Sequence, residues 1–338
     1  MICLRCLILE YNRESNNNSC IMENNPLVSV IIPTYKRSEK LGRAIKSALN
    51  QTYSNIEVLV VSDNEPDDEY SLIAKNVVDS FNDTRVRLVL QEHHKNGAAA
   101  RNAGIKVSSG ELIAFLDDDD FWDKEKLEIQ VPILLSLDDS WGGVSCFNKI
   151  FKNGKLLSMK SKYDSGYLYK SILLRRLEVS TITVLLKKQC LIETGMFDET
   201  LKRNQEVQML TFFTHKYKLF LIEKHLCNVD IDDVQNRPSP EKYKQVKKDF
   251  FKAVDPILRT LSSYTRLSIF LSNKFELGGL YFLNGKYLKG LANCLPVILS
   301  PLALQSALTR ICRRKRERRI PQDMVGKDIN YFIRINNL

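Results

Sequence analysis

Four short apolar segments recur through the first 120 residues of this 338-residue chain. They cover residues 28–33, 56–61, 86–90 and 112–116. Continuous runs rich in valine, isoleucine and leucine are typical of strands buried on both faces of a sheet. Helical spacing over residues 38–51 and 102–107 indicates crossovers between these strands. The order predicts an α/β fold with a mainly parallel sheet flanked by helices.

Polar residues follow each predicted strand. In sheets of this kind, ligands bind beyond the carboxyl ends of the strands. Those ends carry Thr34 and Tyr35, then Ser62 and Asp63, then residues 93–97, and finally residues 117–120. The sequence therefore predicts a binding site at this edge of the sheet.

Four consecutive aspartates, residues 117–120, follow the last of these strands and precede Phe121 and Trp122. Adjacent carboxylates repel one another, and burial at a strand end makes their ionised forms costly unless a cation is present. Mg²⁺ and Mn²⁺ prefer oxygen ligands and share their coordination with phosphates. Alternate residues of an extended segment point the same way, so Asp117 and Asp119 are the candidate pair of ligands. The alternative interpretation is a solvated acidic loop.

The excess of positive charge is concentrated near the C-terminus. Lysine and arginine total 50 against 40 acidic residues, and residues 310–319 alone carry seven basic side chains and one acid. A nucleic-acid-binding protein would spread its charge along a face or groove. The apolar residues 291–311 contain two prolines, which argue against a membrane-spanning helix. We interpret this region either as a contact for an anionic inner leaflet or as a packed helix with a solvated end.

The chain divides into three parts. Residues 1–25 combine a brief apolar run with an Asn- and Ser-rich stretch, and we expect a non-native or disordered extension with Met22 as the physiological start. Residues 26–235 form the α/β domain, with shorter strands and helices in its second half. Residues 236–338 are expected to be helical, and residues 276–304 have the spacing of one tetratricopeptide-type hairpin. Eight irregularly spaced cysteines indicate reduced thiols in the cytoplasm.

Three segments in combination resemble the family 2 glycosyltransferases. They are PLVSVIIPTYKRSEKLGRAIKSALNQTYSNIEVLVVSD at residues 26–63, KNGAAARNAGIKVSSGELIAFLDDDDFW at 95–122 and GMFDETLKRNQEV at 195–207. The resemblance covers residues 26–233, about the size of one α/β domain. It implies the GT-A fold, with a C-terminal helical extension here, and an inverting enzyme that uses a nucleotide-diphosphate sugar.

The resemblance assigns the donor-binding residues. Pro33 and Tyr35 match the opening motif of the family, where Tyr35 would pack on the nucleotide base. Asp63 matches the second member of an Asp-Asp pair and would accept a hydrogen bond from a uracil-type N–H, whereas Ser62 replaces the first member. Arg101 lies in the AAARN segment, near the donor phosphates.

The resemblance also assigns the metal ligands and the catalytic base. Asp117 and Asp119 match the DxD motif that holds Mg²⁺ or Mn²⁺, with Asp119 as the direct ligand and Asp118 as a contact to the sugar or ribose. Glu206, in the pair Gln205-Glu206, occupies the acidic pair that starts a helix and supplies the base. An inverting transfer needs such a base to take the proton of the acceptor hydroxyl. The alternative for Glu206 is a helix N-terminal charge favoured by the dipole.

Together these residues predict a metal-dependent, hexosyltransferase-type glycosyltransferase of bacterial surface-polysaccharide biosynthesis. The resemblance and the basic segment imply a UDP-sugar as the favoured donor and a glycan or lipid-linked acceptor. They also imply a cytoplasmic location, peripheral on the inner face of the plasma membrane, and no nucleic-acid partner. One alternative is a nucleotidyltransferase, which would show a Gly-rich phosphate loop that IIPTYKR lacks. The others are a nucleic-acid-binding protein that acts through residues 310–319, and a catalytically inactive sugar-nucleotide-binding relative, because Ser62 and Glu206 depart from the family pattern.

Overall fold

The computed structural model describes residues 25–37, 39–160, 163–231 and 238–338. Within these residues, nine strands form one sheet in the order β3-β2-β1-β4-β8-β6-β9-β5, and β7 pairs with β6 outside this path. The strands are β1 (Val28–Thr34), β2 (Ile56–Ser62), β3 (Val86–Leu90), β4 (Leu112–Phe115), β5 (Phe121–Trp122), β6 (Trp141–Lys152), β7 (Lys155–Met159), β8 (Val184–Lys187) and β9 (Lys218–Ile231).

The four strands predicted from the apolar runs form the parallel half of the sheet. β1 pairs in parallel with β2 and β4, and β2 pairs in parallel with β3. Beyond β4 the sheet is mixed, because β8 is antiparallel to both β4 and β6, whereas β9 is parallel to β6. The expectation of shorter strands in the second half is wrong for β6 and β9, which have 12 and 14 residues. These two strands pair with each other along most of their length, with register shifts. Each contains polar residues, such as Lys149 and Asn228, so neither shows an uninterrupted apolar run.

Thirteen α-helices occur in the described residues. They are α1 (Leu41–Leu49), α2 (Glu69–Asp79), α3 (Gly97–Val107), α4 (Lys126–Leu135), α5 (Tyr169–Leu173), α6 (Lys188–Glu193), α7 (Gln205–Lys216), α8 (Pro240–Ala253), α9 (Asp255–Arg259), α10 (Ser263–Leu283), α11 (Tyr287–Cys294), α12 (Pro301–Glu317) and α13 (Ile329–Ile335). Helix α3 begins five residues before the predicted start at 102, because the Asn96 side chain accepts hydrogen bonds from the N–H groups of Ala98 and Ala99.

The central strand β1 is buried on both faces, which accounts for its continuous apolar sequence. Val30 and Ile32 pack into the cluster that contains α1 and α4, and Ile31 packs into the cluster that contains α3 and α7. Helix α3 approaches β1 closely at Gly104, where a Cβ atom would lie 2.6 Å from Cγ2 of Ile31. A larger residue at 104 would therefore push α3, and the residues at its N-terminus, away from the sheet.

The C-terminal helices pack against the α/β part of the chain. Leu173 and Leu174 join an apolar cluster with Phe250 and Ile269, and Phe332 of α13 packs with Phe121 and Phe151. The predicted hairpin is present as α10 and α11, which are connected through Gly285 at φ +71°. The proposed start at Met22 and the proposed domain boundary near residue 235 lie outside the described residues. Among the described helices, none combines the length and apolar character needed to cross a membrane.

The basic segment 310–319 is divided between the interior and the surface. Arg310 and Arg313 are only 6% and 7% exposed. Glu276 lies 2.6 Å from Nη2 of Arg310, and Glu178 lies 3.3 Å from Nη2 of Arg313. The interpretation of residues 310–319 as a lipid contact or a solvated helix end is therefore wrong for these two arginines. Glu276 and Glu178 are distant in the sequence from these arginines, so local composition did not reveal the pairings.

Candidate active site

The acidic loop, residues 117–120, follows β4 and is closed by a hydrogen bond of 3.1 Å from the N–H of Asp120 to the carbonyl of Asp117. Asp118 and Asp120 are buried, whereas Asp117 and Asp119 are partly exposed. The sequence assigned Asp117 and Asp119 as a pair, and these are the two more exposed carboxylates of the loop.

The two inward carboxylates are held by the surrounding strands. Oγ1 of Thr34 donates to Asp118 at 2.8 Å, and the N–H of Asp230 donates to Asp120 at 2.9 Å. Burial, together with the charges of Asp119 and Asp117, raises the pKa of Asp118 to about 7, although the hydrogen bond from Thr34 opposes this rise. Burial also raises the pKa of Asp119 and Asp120. A positive charge beside this loop would therefore stabilise its ionised form.

Three basic side chains that the sequence analysis did not assign to the site surround the acidic loop. Nη1 of Arg37 donates to Oδ2 of Asp119 at 2.5 Å, and Nη2 of Arg43 donates to the carbonyl of Asp119 at 2.6 Å. Arg43 and Lys40 also each lie 2.9 Å from Oδ2 of Asp230. Arg37, Lys40 and Arg43 are spaced three residues apart just beyond the carboxyl end of β1. This spacing is the feature of the sequence that could have identified them as part of the site.

Arg101 connects the acidic loop with the candidate base. Its Nη2 donates to Oδ1 of Asp117 at 2.6 Å, and its Nη1 lies 3.7 Å from Oε1 of Glu206. The guanidinium is buried, and its carbon lies 5.7 Å from the centre of the Phe197 ring. The Arg101 side chain thus brings together two of the carboxylates that the sequence analysis had placed in one site.

Glu206 lies in the first turn of α7, as predicted. The helix begins after Asn204, whose φ of +63° turns the chain sharply into it. The segment before it is anchored to α3, because Nδ2 of Asn102 donates to the carbonyl of Phe197 and to the Glu199 carboxylate, both at 2.9 Å. Asn102 and Glu199 were not assigned by the sequence analysis, although both lie within the quoted motifs.

The remaining predicted donor residues lie together at the ends of β1 and β2. Pro33 lies in β1 opposite Val61, and the ring of Tyr35 stacks on His94 with 4.1 Å between the ring centres. Asp63 is buried, and its Oδ1 accepts hydrogen bonds from Nε2 of Gln91 at 2.6 Å and from the N–H of Lys95 at 2.9 Å. His94, which belongs to the segment 93–97 that the sequence placed at this edge, lies between Tyr35 and Asp63, with its Nδ1 3.1 Å from Oδ2 of Asp63.

The accessible donor atoms fit a hard divalent cation that takes only part of its coordination from the protein. Asp117 and Asp119 offer carboxylate oxygens, and their neighbours concentrate negative charge behind them. In the described residues no group of three or more His, Cys, Asp and Glu side chains is arranged to hold a metal. A cation here would therefore draw its remaining ligands from phosphate oxygens and water. Arg37, which holds Asp119, has a 53% exposed side chain and is free to turn away.

Comparison with known sequences gives a family match over the same region. The family model described as glycosyl transferase family 2 matches residues 29–196. The chain is 34% identical over 168 residues to the UDP-Glc:alpha-D-GlcNAc-diphosphoundecaprenol beta-1,3-glucosyltransferase WfgD of Escherichia coli. This match covers 49% of the chain and 62% of that enzyme, so the chain matches less than two thirds of its relative's length.

Solved structures give the fold. The S. aureus TarS 1-349 structure in complex with UDP-GlcNAc aligns with a TM-score of 0.58 at 17% identity, over 89% of this chain and 95% of that one. The mannosyltransferase PcManGT from Pyrobaculum calidifontis, in complex with GDP-Man and Mn²⁺, aligns with a TM-score of 0.54 at 17% identity. This alignment covers 90% of this chain and 91% of that one. Together with the family match, the sheet order and the site at its carboxyl edge, these likenesses confirm the predicted GT-A fold. The chain belongs to the family 2 glycosyltransferases.

Proposed function

We propose that this chain is an inverting, metal-dependent glycosyltransferase. It takes a hexose from a nucleotide-diphosphate sugar and transfers it to an acceptor hydroxyl. The observation that carries the proposal is the position of Arg101, which hydrogen-bonds Asp117 at 2.6 Å and lies 3.7 Å from Glu206. A candidate metal ligand and a candidate base therefore lie beside two different nitrogens of one guanidinium group.

The proposed transfer is a single displacement at the anomeric carbon. The acceptor oxygen forms a bond to this carbon as the bond to the diphosphate oxygen breaks, and the nucleoside diphosphate leaves with the electron pair. A carboxylate oxygen of Glu206 takes the acceptor proton. Because Glu206 is 37% exposed and stands at the start of α7, an acceptor can reach it from solvent.

The donor is proposed to lie along the carboxyl edge of β1, β2 and β4. Tyr35 would stack on the base, and Asp63 would accept from a uracil N–H, which favours a UDP-sugar. Arg101 would contact the diphosphate, Pro33 would shape the loop entry, and Asp118 would contact the sugar or ribose. Tyr35 is 39% exposed, so part of its side chain is accessible to a base.

Mg²⁺ or Mn²⁺ would be held by Asp119 and Asp117 and would stabilise the negative charge that develops on the leaving diphosphate. The raised pKa values of Asp118, Asp119 and Asp120 support a cation at this loop. A further support is the Mn²⁺ in the PcManGT complex, which shares the fold.

The acceptor is proposed to be a glycan or a lipid-linked sugar of bacterial surface-polysaccharide biosynthesis. The support is the name of the Escherichia coli relative, whose acceptor is a GlcNAc-diphosphoundecaprenol. An acceptor of this kind would place the chain in the cytoplasm, peripheral on the inner face of the plasma membrane.

A panel of UDP- and GDP-sugars tests the reaction class, with release of nucleoside diphosphate measured in Mn²⁺ and again after chelation. Release from one donor that stops on chelation supports the proposal. If no nucleotide binds with or without Mn²⁺, the proposal is wrong.

Two variants then distinguish the two interpretations of Glu206, a catalytic base or a charge that only stabilises the start of a helix. Glu206→Gln should remove transfer while nucleotide binding, measured by calorimetry, stays within about twofold of the parent value, because the base acts only in the chemical step. The matched control is Glu241→Gln, which removes an acid from the first turn of α8 instead. Full activity of Glu206→Gln would refute the assignment of this residue as the base.

A further inference from the structure

The C-terminal helices expose an unusual amount of apolar surface. Around α11 and the adjoining 3-10 turn at Leu295–Leu299, five large side chains are between 64% and 85% exposed. They are Leu283, Tyr287, Leu288, Ile298 and Leu299. Surface apolar residues are common singly, but a contiguous group of this kind marks an interaction site.

Helix α12, which follows the 3-10 turn directly, also exposes apolar residues along one of its faces. Leu304, Leu308 and Ile311 are exposed and follow one another at spacings of four and three residues, so they lie on one side of the helix. Lys315 lies four residues further on and is also exposed. The opposite side of α12 is the packed one, with Ser306, Arg310 and Arg313 buried.

The apolar face ends in positive charge. Beyond Ile311, the basic segment exposes Arg314, Lys315, Arg316, Arg318 and Arg319, of which Arg314 lies 3.7 Å from Glu178. No aspartate or glutamate occurs between Glu276 and Glu317, and Glu317 itself is buried beside Arg313. Lys286, near the start of α11, is paired with Glu241 of α8 at 2.8 Å. The positive charge available to a ligand is therefore the cluster at the end of α12. We call the exposed apolar residues of 283–311 together with this basic end the docking face.

We propose that the docking face binds the surface of an anionic lipid bilayer. Apolar side chains beside a basic cluster enter the boundary between headgroups and acyl chains, while the cations contact anionic headgroups. A second copy of the chain is a poorer occupant. In a two-fold dimer each copy presents the same face, so the positive charge of both would meet with no acid from residues 277–316 to compensate it.

This inference rests on the proposed function for its setting, a lipid-linked acceptor, but its physical argument is independent. It assigns separate roles to the two halves of the basic segment. Arg310 and Arg313 fix α12 to the rest of the chain through Glu276 and Glu178, and the exposed Lys315, Arg316, Arg318 and Arg319 are available for headgroups. The bilayer would therefore be met by a helix that is already ordered.

Vesicle flotation of the full chain tests the proposal. The chain should float with vesicles that contain about one third phosphatidylglycerol and bind phosphatidylcholine vesicles far more weakly, and added salt should weaken the anionic binding. The combined variant Lys315→Gln, Arg318→Gln and Arg319→Gln should bind anionic vesicles roughly a hundredfold more weakly. The variant Leu288→Ser, Ile298→Ser and Leu299→Ser should lose binding to both compositions.

The matched control removes three exposed lysines elsewhere, Lys106, Lys152 and Lys155, each to glutamine, and should bind as the parent chain does. The proposal is overturned if the parent does not float with anionic vesicles, or if the control loses as much binding as the docking-face variants. Concentration-dependent dimers that the Leu288, Ile298 and Leu299 variant abolishes, without vesicle binding, would also overturn it and would assign the face to a second copy. Nucleotide binding by the same variants should be unchanged, so failure of the docking face and failure of the proposed reaction give different results.

Discussion

Arg101 donates a hydrogen bond of 2.6 Å from its Nη2 to Oδ1 of Asp117. The other terminal nitrogen of the same guanidinium lies 3.7 Å from Glu206, so one rigid planar group sets the relative position of two carboxylates on different elements. Arg101 is itself anchored within the core, where burial and the ion pairs leave it little freedom. No other cationic side chain offers two nitrogens in the same fixed plane to contact both Asp117 and Glu206.

We therefore predict that Arg101→Lys lowers turnover about a hundredfold while the circular dichroism spectrum stays that of the parent, because a single ammonium cannot hold both carboxylates in register. Steady-state kinetics with the donor found in the panel measure the effect. Arg87→Lys, which changes an exposed arginine paired with Glu57, is the control and should be near parent activity. Parent turnover in Arg101→Lys would show that the bridge has no part in the reaction.

The buried ion cluster of the C-terminal helices gives a prediction about stability. Glu276 lies 2.6 Å from Lys247, 2.6 Å from Arg310 and 3.0 Å from Arg175. Glu276→Gln leaves these cations without their common counter-charge and should lower the free energy of unfolding by about 3 kcal/mol in urea titrations. Glu241→Gln, which removes an exposed pair with Lys286, should change it by less than about 1 kcal/mol. Equal effects of the two substitutions would contradict a structural role for the cluster.

The same cluster predicts a dependence on pH. Burial alone would raise the pKa of Glu276, but Arg175, Lys247 and Arg310 hold it well below its usual value of 4.5. A carboxyl group with a lowered folded-state pKa stabilises the protein fully above the unfolded-state pKa, and this stabilisation is lost as pH falls below it. The difference in unfolding free energy between the parent and Glu276→Gln should therefore be constant above about pH 5 and shrink towards about pH 3.5. A difference that grows as the solution is acidified would show the opposite pKa shift.

The contact between Arg37 and Asp119 predicts competition with metal. Because Nη1 of Arg37 occupies Oδ2 of Asp119, a cation must displace it. Arg37→Gln should then tighten Mn²⁺ binding by up to about fivefold, the usual range for an exposed ion pair. Calorimetric titration with Mn²⁺ alone measures this without turnover. The control Arg85→Gln removes a comparable pair with Asp83 and should leave Mn²⁺ affinity unchanged, whereas Asp119→Ala should abolish binding. Weaker binding in Arg37→Gln would place the ion elsewhere.

The parallel half of the sheet could be predicted from sequence because its strands are buried on both faces. Val30, Ile31 and Ile32 are all apolar for that reason, and the same property located the carboxyl edge and the acidic loop. The long strands β6 and β9 could not be predicted in this way, since each carries polar residues such as Lys149 and Asn228 that find partners only in the folded sheet.

The site was predicted where the residues are part of a motif, and missed where they act through distant contacts. Asp117, Asp119 and Glu206 lie in the quoted segments, whereas Arg43 reaches Asp230 across 187 residues of sequence. The burial of Arg310 was missed for the same reason. Its partner Glu276 lies a helix and a turn away along the chain, and Glu178 lies more than a hundred residues away. Such pairings depend on tertiary structure that local composition does not encode.

The cluster around Glu178 and Glu276 also bears on how parts of such enzymes can be exchanged. Its charges come from the loop after α5, from α8, from α10 and from α12, and each balances the others. A chimera that takes the C-terminal helices from one relative and the α/β part from another would bury an unmatched charge unless Arg175 and Glu178 were carried over with the helices. The natural unit of recombination in this chain is therefore the helices together with that loop, and a cut between strand β9 and helix α8 alone would divide it.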